Sequence, residues 1–115
     1  MSERSDADLI EDMLLCITRI KEYVSGLSYE EFAKDYKTQD AVIRNLEIIG
    51  EASKKLSDNL KGRHTEIPWK LIAGTRDRLI HGYFGVNIDV IWETVINDIP
   101  RVEVQLKGIM RRWFW

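Results

Sequence analysis

The spacing of apolar residues is the feature that most constrains the fold of this chain. In the first stretch they recur at intervals of four, four, three and four residues, the period of an α-helix, at Leu9, Met13, Ile17, Ile20 and Val24. Ser5 or Asp6 can cap this helix and Gly26 can end it. Because no alternating pattern of useful length indicates a β-strand, the chain is predicted to be helical.

Two more helices are predicted between residues 28 and 60. Ser28 and Glu31 fit a capping box, which starts a short helix carrying Phe32. A second apolar stripe predicts a long helix from about residue 40 to about residue 60. Gly50 interrupts this helix at a cost of about 1 kcal/mol relative to alanine. A glycine there indicates that another backbone passes close by.

The remaining part of the chain predicts two helices separated by a glycine-interrupted loop. Pro68 suits the first turn of a fourth helix, since its missing N–H has no partner there anyway. That helix is expected to run into residues 76–83. Asn87 or Asp89 can cap a last helix, which Pro100 should kink. The predicted fold class is all-α, an up-and-down bundle of four main helices plus a short extra helix.

Length and composition predict a soluble globular protein with a single domain over residues 1–115. The hydrophobic fraction is 44% and the charged fraction 31%, which excludes a disordered chain. The formal net charge is −2, so RNA binding would need a local basic cleft or a surface shared in an oligomer. With no signal peptide and no apolar run near the roughly 20 residues of a membrane span, the cytoplasm is the predicted compartment.

Neither the cysteine nor the first histidine indicates a metal or redox site. The single Cys16 lies in an apolar helical stretch, so we interpret it as a core residue. His64 has only Glu66 nearby as a second ligand type, a poor metal signature. No metal and no cofactor is predicted.

The densest chemistry lies between Arg76 and Tyr83, which read RDRLIHGY and fit the pattern R-x4-H-x-Y. This run combines a permanent cation, the imidazole of His81 that can exchange a proton near neutral pH, and a phenol. Arg76 suits a phosphate, since its planar fork offers two parallel donors. Such a pair can cleave RNA without a metal: the imidazole handles the protons and the guanidinium stabilises charge on the phosphorane.

Helical geometry limits how these groups can meet. Ala73, Arg76, Ile80 and Tyr83 are spaced three, four and three residues apart and would share one face of a continuous helix. His81 would point about 140° away from Arg76. The two can converge only if the helix ends near His81 or if a second chain supplies a partner, as in a two-fold dimer. The alternative is structural: Arg76 pairs with Glu47 or Glu51, and His81 caps the helix end.

Two long motifs in this order resemble the HepT-like family of HEPN-domain toxins. Residues 40–52, DAVIRNLEIIGEA, are similar to that family's RNxEIIGEA helix. Residues 67–69, IPW, followed by Ile72, Gly74 and the run from Arg76, match its second signature, and Trp92 fits the next helix. The resemblance covers nearly the whole chain. One departure is Thr75, where a methionine is common.

The resemblance implies a HEPN bundle that forms a homodimer, or a higher even-numbered oligomer, with the motifs facing a shared cleft. It implies a metal-independent endoribonuclease that acts as the toxin of a type VII-like toxin–antitoxin module. The antitoxin would be a cognate MntA-like nucleotidyltransferase that silences the toxin by AMP transfer. Carried over here, Arg76 and His81 are catalytic, Tyr83 is the modified residue, and Asp77 orients one of the catalytic pair.

A charged stripe and an aromatic tail are weaker candidates. Arg44, Glu47, Glu51 and Lys54 follow one another at three, four and three residues, typical of a solvated or ion-paired face. Alternatively, Glu51 or Arg44 lines the cleft as support for the catalytic residues. The tail at 111–115, RRWFW, is expected to pack on the bundle or a neighbouring chain, with stacking on RNA bases as the alternative.

Two other functions stay open on the sequence. A HEPN bundle can be a non-catalytic subunit that binds nucleotide or substrate for a partner nucleotidyltransferase. It can also be a structural dimerisation module. The near-neutral charge is typical of these two, whereas Arg76, His81 and Tyr83 together favour the nuclease, because a module that only binds needs no general base.

Overall fold

The computed structural model describes residues 4–81 and 85–115, and it describes positions 76, 79–81 and 86 by their backbone. The elements in chain order are α1 (Asp6–Val24), α2 (Tyr29–Lys34), α3 (Tyr36–Lys55), α4 (Asp58–Arg63), α5 (Trp69–Ala73), α6 (Thr75–Leu79), β1 (Ile80–His81), β2 (Gly85–Val86), α7 (Ile88–Glu93), a π-helical turn (Thr94–Asp98) and α8 (Ile99–Trp113). The predicted all-α bundle is confirmed. The two strands have two residues each and form one antiparallel pair.

The first two helices begin as their capping residues predict. The Ser5 hydroxyl accepts from the Asp8 N–H at 3.1 Å, and the Asp8 carboxylate accepts from the Ser5 N–H at 3.2 Å. Ser28 and Glu31 make the same reciprocal pair at the start of α2. These bonds hold the pKa of both carboxyl groups below their ordinary values.

Helix α3 packs mainly against α1, and their apolar stripes form the centre of the core. One cluster of buried side chains draws on all the long helices, including Ile10, Met13, Ile17, Ile20, Phe32, Val42, Leu46, Ile91 and Leu106. Cys16 belongs to this cluster, as predicted, and burial raises the pKa of its thiol. Within the described ranges, no helix is long and apolar enough to span a membrane.

The bounds predicted for the long helix were wrong at both ends. Helix α3 starts at Tyr36, capped by Asp35, and ends at Lys55. Leu56 is extended and buried, and Ser57 caps the separate helix α4. The chain breaks here because Ser57 also bonds to α1: its N–H and hydroxyl both donate to the Asp6 carboxylate, at 2.9 and 2.6 Å.

The last helical stretch starts at the predicted cap and changes pitch before its proline. The Asn87 side chain accepts from the Val90 N–H at 3.2 Å, which starts α7. A π-helical turn follows, and Pro100 lies in the first turn of α8. The kink was predicted for a proline in the middle of a helix, whereas Pro100 begins a helix after a wider turn. A proline in the first turn of a helix needs no N–H partner.

Candidate functional site

The fourth predicted helix is divided, which changes the geometry of the R-x4-H run. Helix α5 ends at Ala73, Gly74 forms a turn, and α6 covers only Thr75–Leu79. The face expected to join Ala73, Arg76, Ile80 and Tyr83 on one helix was therefore wrong. Ile80 already lies in β1, and Tyr83 lies outside the described residues.

Side-chain hydrogen bonds satisfy carbonyl groups at the junction of α5 and α6. The buried Thr75 hydroxyl reaches the carbonyl oxygens of Leu71 and Ile72, at 3.1 and 2.8 Å. The Arg78 guanidinium donates to the Leu71 oxygen at 2.7 Å and to the Thr75 hydroxyl at 3.1 Å. These two side chains satisfy the carbonyl groups at the end of α5. Thr75, the departure from the family pattern, is thus part of the junction.

His81 leaves the helix that carries Arg76. Helix α6 ends at Leu79, and His81 pairs with Gly85 in the small antiparallel sheet. One of the two conditions for the side chains to converge, a helix end near His81, is therefore met. Their convergence itself stays a prediction, since the two side chains are outside the described part.

Helix α7, the element after the sheet, is anchored to α2. The Tyr29 hydroxyl of α2 donates to the Asp89 carboxylate of α7, which raises the pKa of Tyr29. Trp92 of α7 packs on Phe32 with ring centroids 5.1 Å apart, and on Tyr29 edge-to-face at 6.0 Å. Aromatic pairs in this range are favourable. The sheet thus lies between α6 and a firmly packed α7.

The three residues predicted to support catalysis line one groove. Asp77 of α6 lies across from Arg44 and Glu51 of α3 around a cavity of about 330 Å³. Gly50 contributes to the same wall, where the absence of a side chain lets α5 approach α3. We call this space, between α3 and the α5–α6 segment, the α3–α6 groove.

The charged stripe on α3 forms the long wall of the α3–α6 groove. All four members, Arg44, Glu47, Glu51 and Lys54, line it. Lys54 pairs with Glu51 at 3.2 Å, with both side chains more than half exposed. Such an exposed pair contributes at most about 1 kcal/mol. The stripe is therefore both partly ion-paired and next to the α6 segment, so the two interpretations made from the sequence do not exclude each other.

The backbone of α5 passes close to α3 at Gly50, as the sequence predicted. A Cβ atom at this position would lie 3.2 Å from the Ile72 carbonyl oxygen and 3.5 Å from the Ala73 carbonyl oxygen. Both are backbone atoms at the end of α5. The glycine therefore sets the distance between α3 and the segment that leads into α6.

His64 has a structural role, since it contacts the C-terminal tail. It is buried, and its Nε2 accepts from the Trp113 indole N–H at 3.0 Å. The Arg63 guanidinium lies 5.1 Å from the centre of the Trp113 ring. The tail thus contacts the bundle through Trp113, although Trp113 and Trp115 stay 47% and 66% exposed. Among the described residues, no group of three or more His, Cys, Asp or Glu side chains could hold a metal.

Comparison with known proteins agrees with the motifs. The profile of the family described as "Ribonuclease HepT-like" matches residues 13–109. A probable ribonuclease HepT of Thermococcus cleftensis is 50% identical over 95% of this chain and 99% of its own length. A putative RNase of Caldanaerobacter subterraneus subsp. tengcongensis is 50% identical over 79% of this chain and 81% of its own length. A putative RNase of Methanocaldococcus jannaschii is 39% identical over 96% of this chain and 92% of its own length.

No solved structure matches the chain. The family match covers the groove, the divided helix and the sheet together, since all of them lie within residues 13–109. On this match and these identities, the chain belongs to the HepT-like ribonuclease family.

Proposed function

We propose that this HepT-like ribonuclease is a metal-independent endoribonuclease, the toxin of a type VII-like toxin–antitoxin module. Arg76 and His81 are its catalytic residues. One observation carries the assignment: α6 ends at Leu79, so His81 is released from the helical phase that would turn it away from Arg76. Membership of a ribonuclease family supports it.

The chemistry needs only the two side chains. The 2′-oxygen of the ribose attacks the adjacent phosphorus while the bond from phosphorus to the 5′-oxygen breaks, giving a 2′,3′-cyclic phosphate and a free 5′-hydroxyl. The His81 imidazole takes the 2′-hydroxyl proton, and the imidazolium so formed gives a proton to the leaving 5′-oxygen, which leaves the histidine neutral again. The Arg76 guanidinium stabilises the extra negative charge on the phosphorane. A homodimer would provide both roles at one shared cleft.

The α3–α6 groove supplies the supporting charges. Asp77 directly follows Arg76 in the sequence, so it is in a position to orient a catalytic side chain. Arg44 and Glu51 face it from α3. In this proposal Arg44 contacts RNA phosphate, while Glu51, paired with Lys54, limits the positive charge near the reacting groups.

The direct test compares RNA cleavage by wild type, Arg76→Ala and His81→Ala, with exposed Arg101→Ala on α8 as a charge-matched control. We expect each active-site variant to lose a factor of about 10²–10⁴ in rate while the control keeps wild-type activity. Cleavage should persist in EDTA and leave 2′,3′-cyclic phosphate ends. Full activity in His81→Ala would contradict the assignment. A folded wild type that binds RNA or nucleotide without cleaving would support the non-catalytic subunit instead.

Tyr83 is proposed as the silencing site, modified by AMP transfer from a cognate MntA-like nucleotidyltransferase. It is two residues from His81, so a bulky anionic adenylate there would compete with the RNA phosphate for Arg76. Tyr83→Phe should keep nuclease activity and escape silencing when the two proteins are produced together. Growth arrest and mass spectrometry of the modified peptide measure this. A Phe variant that the partner still silences through AMP transfer would refute the role of Tyr83.

A further inference from the structure

A second groove lies between α1 and α3, on the other side of the charged stripe. It encloses about 350 Å³ and has an apolar floor that includes Leu15 and Ile48. Leu15 is 49% exposed, so it presents apolar surface to this space. We call this space the α1–α3 groove.

The walls of the α1–α3 groove carry more positive than negative charge. Four cations line it, Arg4, Arg19, Arg44 and Lys55, against two carboxylates, Asp12 and Glu51. The difference of four minus two gives a local excess of two positive charges on a chain whose formal net charge is −2.

Both carboxylates of this groove already have cationic partners. The Arg4 guanidinium makes two bonds to Asp12, at 2.6 and 3.2 Å. Glu51 is paired with Lys54 at 3.2 Å. Within residues 4–81 and 85–115, no carboxylate of a described side chain forms an ion pair with Arg19, Arg44 or Lys55. Three exposed cations therefore face the groove without a neutralising partner in the described part of the chain.

The α1–α3 groove continues into the α3–α6 groove. Arg44 and Glu51 line both spaces, so the two grooves meet over α3. From Arg44 to Lys55 the groove follows eleven residues of helix, about 16 Å at about 1.5 Å per residue. A strand held at the α6 segment can therefore cross α3 at Arg44 and continue along α1.

From this continuity, we infer that the α1–α3 groove is an RNA-binding subsite. In it, Arg19, Arg44 and Lys55 bind phosphates of the substrate strand away from the scissile bond. The inference rests on the proposed nuclease function. The α1–α3 groove would also provide the local basic cleft that a chain of net negative charge needs in order to bind RNA. Leu15 offers an apolar surface for a base, while the surrounding cations neutralise the backbone.

The test measures binding of a single-stranded RNA of 20 nucleotides, with Arg19→Ala/Lys55→Ala compared with Lys34→Ala/Lys37→Ala. Both double variants remove two exposed cations, but Lys34 and Lys37 lie at the junction of α2 and α3, away from the groove. All proteins carry His81→Ala, so the RNA is not cut during fluorescence anisotropy. Circular dichroism checks that each variant is folded.

We expect the groove variant to bind RNA about tenfold more weakly than the control. The slope of log affinity against log salt should fall in magnitude by about 1.4, which is two lost phosphate contacts at about 0.7 each. With His81 restored, the Lys34→Ala/Lys37→Ala control should cleave both a dinucleotide and the 20-mer at the wild-type rate. The groove variant should show a raised KM for the 20-mer, which is the substrate long enough to reach the groove.

Each outcome separates the two proposals. If the groove variant keeps the affinity and salt slope of the control, the subsite is refuted, as expected for a protein-docking surface or a solvated face. If wild type binds RNA in a groove-dependent way but cleaves neither substrate, the nuclease proposal fails while the binding subsite stands. A wild type that binds no RNA refutes the subsite directly.

Discussion

Replacing Gly50 by alanine tests the packing that positions α6. Gly50 lies within α3, and the new methyl group would lie 3.2 Å from the Ile72 carbonyl oxygen and 3.5 Å from that of Ala73. Because both neighbours are backbone atoms, they cannot rotate aside as a side chain can. Helix α5 would have to move by a few tenths of an ångström, and the α6 segment that follows Gly74 would move with it.

The expected change in the free energy of unfolding combines two opposing effects. Alanine stabilises a helix interior by about 1 kcal/mol relative to glycine. An extra methyl group pressed into a packed interface costs about 1–3 kcal/mol. Gly50→Ala should therefore be destabilised by about 0–2 kcal/mol.

Gly108→Ala provides the matched control. This glycine also lies inside a helix, α8, but a Cβ there would have no neighbour within 4 Å. Only the helix effect acts, so the control should be stabilised by about 1 kcal/mol. The difference between the two variants, about 1–3 kcal/mol, isolates the contact between α3 and α5.

Urea unfolding followed by circular dichroism measures both free energies, and thermal unfolding gives a second reading at about 4–8 °C per kcal/mol. RNA cleavage should fall in Gly50→Ala and not in Gly108→Ala, because a displacement of about 1 Å at catalytic groups can cost about 10²-fold. Equal stabilisation of the two variants would show that α5 does not approach Gly50 closely, and the argument for the position of α6 would fail.

Three further predictions concern the rest of the bundle. Cys16 is buried and its pKa is raised, so iodoacetamide should alkylate it at least about tenfold more slowly in native protein than in urea. Because the folded state favours the protonated thiol, its contribution to the free energy of unfolding is complete below the ordinary pKa of 9.0 and is lost as pH rises through the pKa of the folded state. Trp113→Phe removes the bond to His64 and should lower the free energy of unfolding by about 1 kcal/mol; no loss would mean that the tail is not held there. Ser57→Ala removes the cap of α4 and a bond to Asp6, and should lower the free energy of unfolding by about 1–2 kcal/mol. An unchanged free energy of unfolding would contradict this prediction.

Local signals predicted the starts of α1, α2 and α7 well. Ser5 and Ser28 each cap a helix within three residues of a carboxylate that completes the box, so the whole interaction is contained in the sequence pattern. Gly50 was also predictable as a close approach, since an interior glycine weakens a helix unless something needs the space. What approaches it, the end of α5, required the tertiary structure.

The end of α3 was not predictable from periodicity. Leu56 and Leu60 continue the apolar stripe and are both buried, so the pattern runs straight through the break at residues 56–57. The break depends on the two bonds from Ser57 to Asp6, a residue 51 positions earlier. A contact at that sequence separation has no local signature.

The divided fourth helix changes the geometry that the sequence predicted for Arg76 and His81. In a continuous helix, His81 would point about 140° away from Arg76. The two side chains could then meet only if the helix ended near His81 or if a second chain supplied a partner. Thr75 and Arg78 take up the carbonyl groups at the end of α5, α6 is only five residues long, and His81 lies in a strand. The phase objection to an Arg76–His81 pair in one chain therefore no longer applies. A homodimer is still proposed, but on the family resemblance alone, so a monomeric variant that keeps cleaving RNA would refute the shared cleft without refuting the catalytic pair.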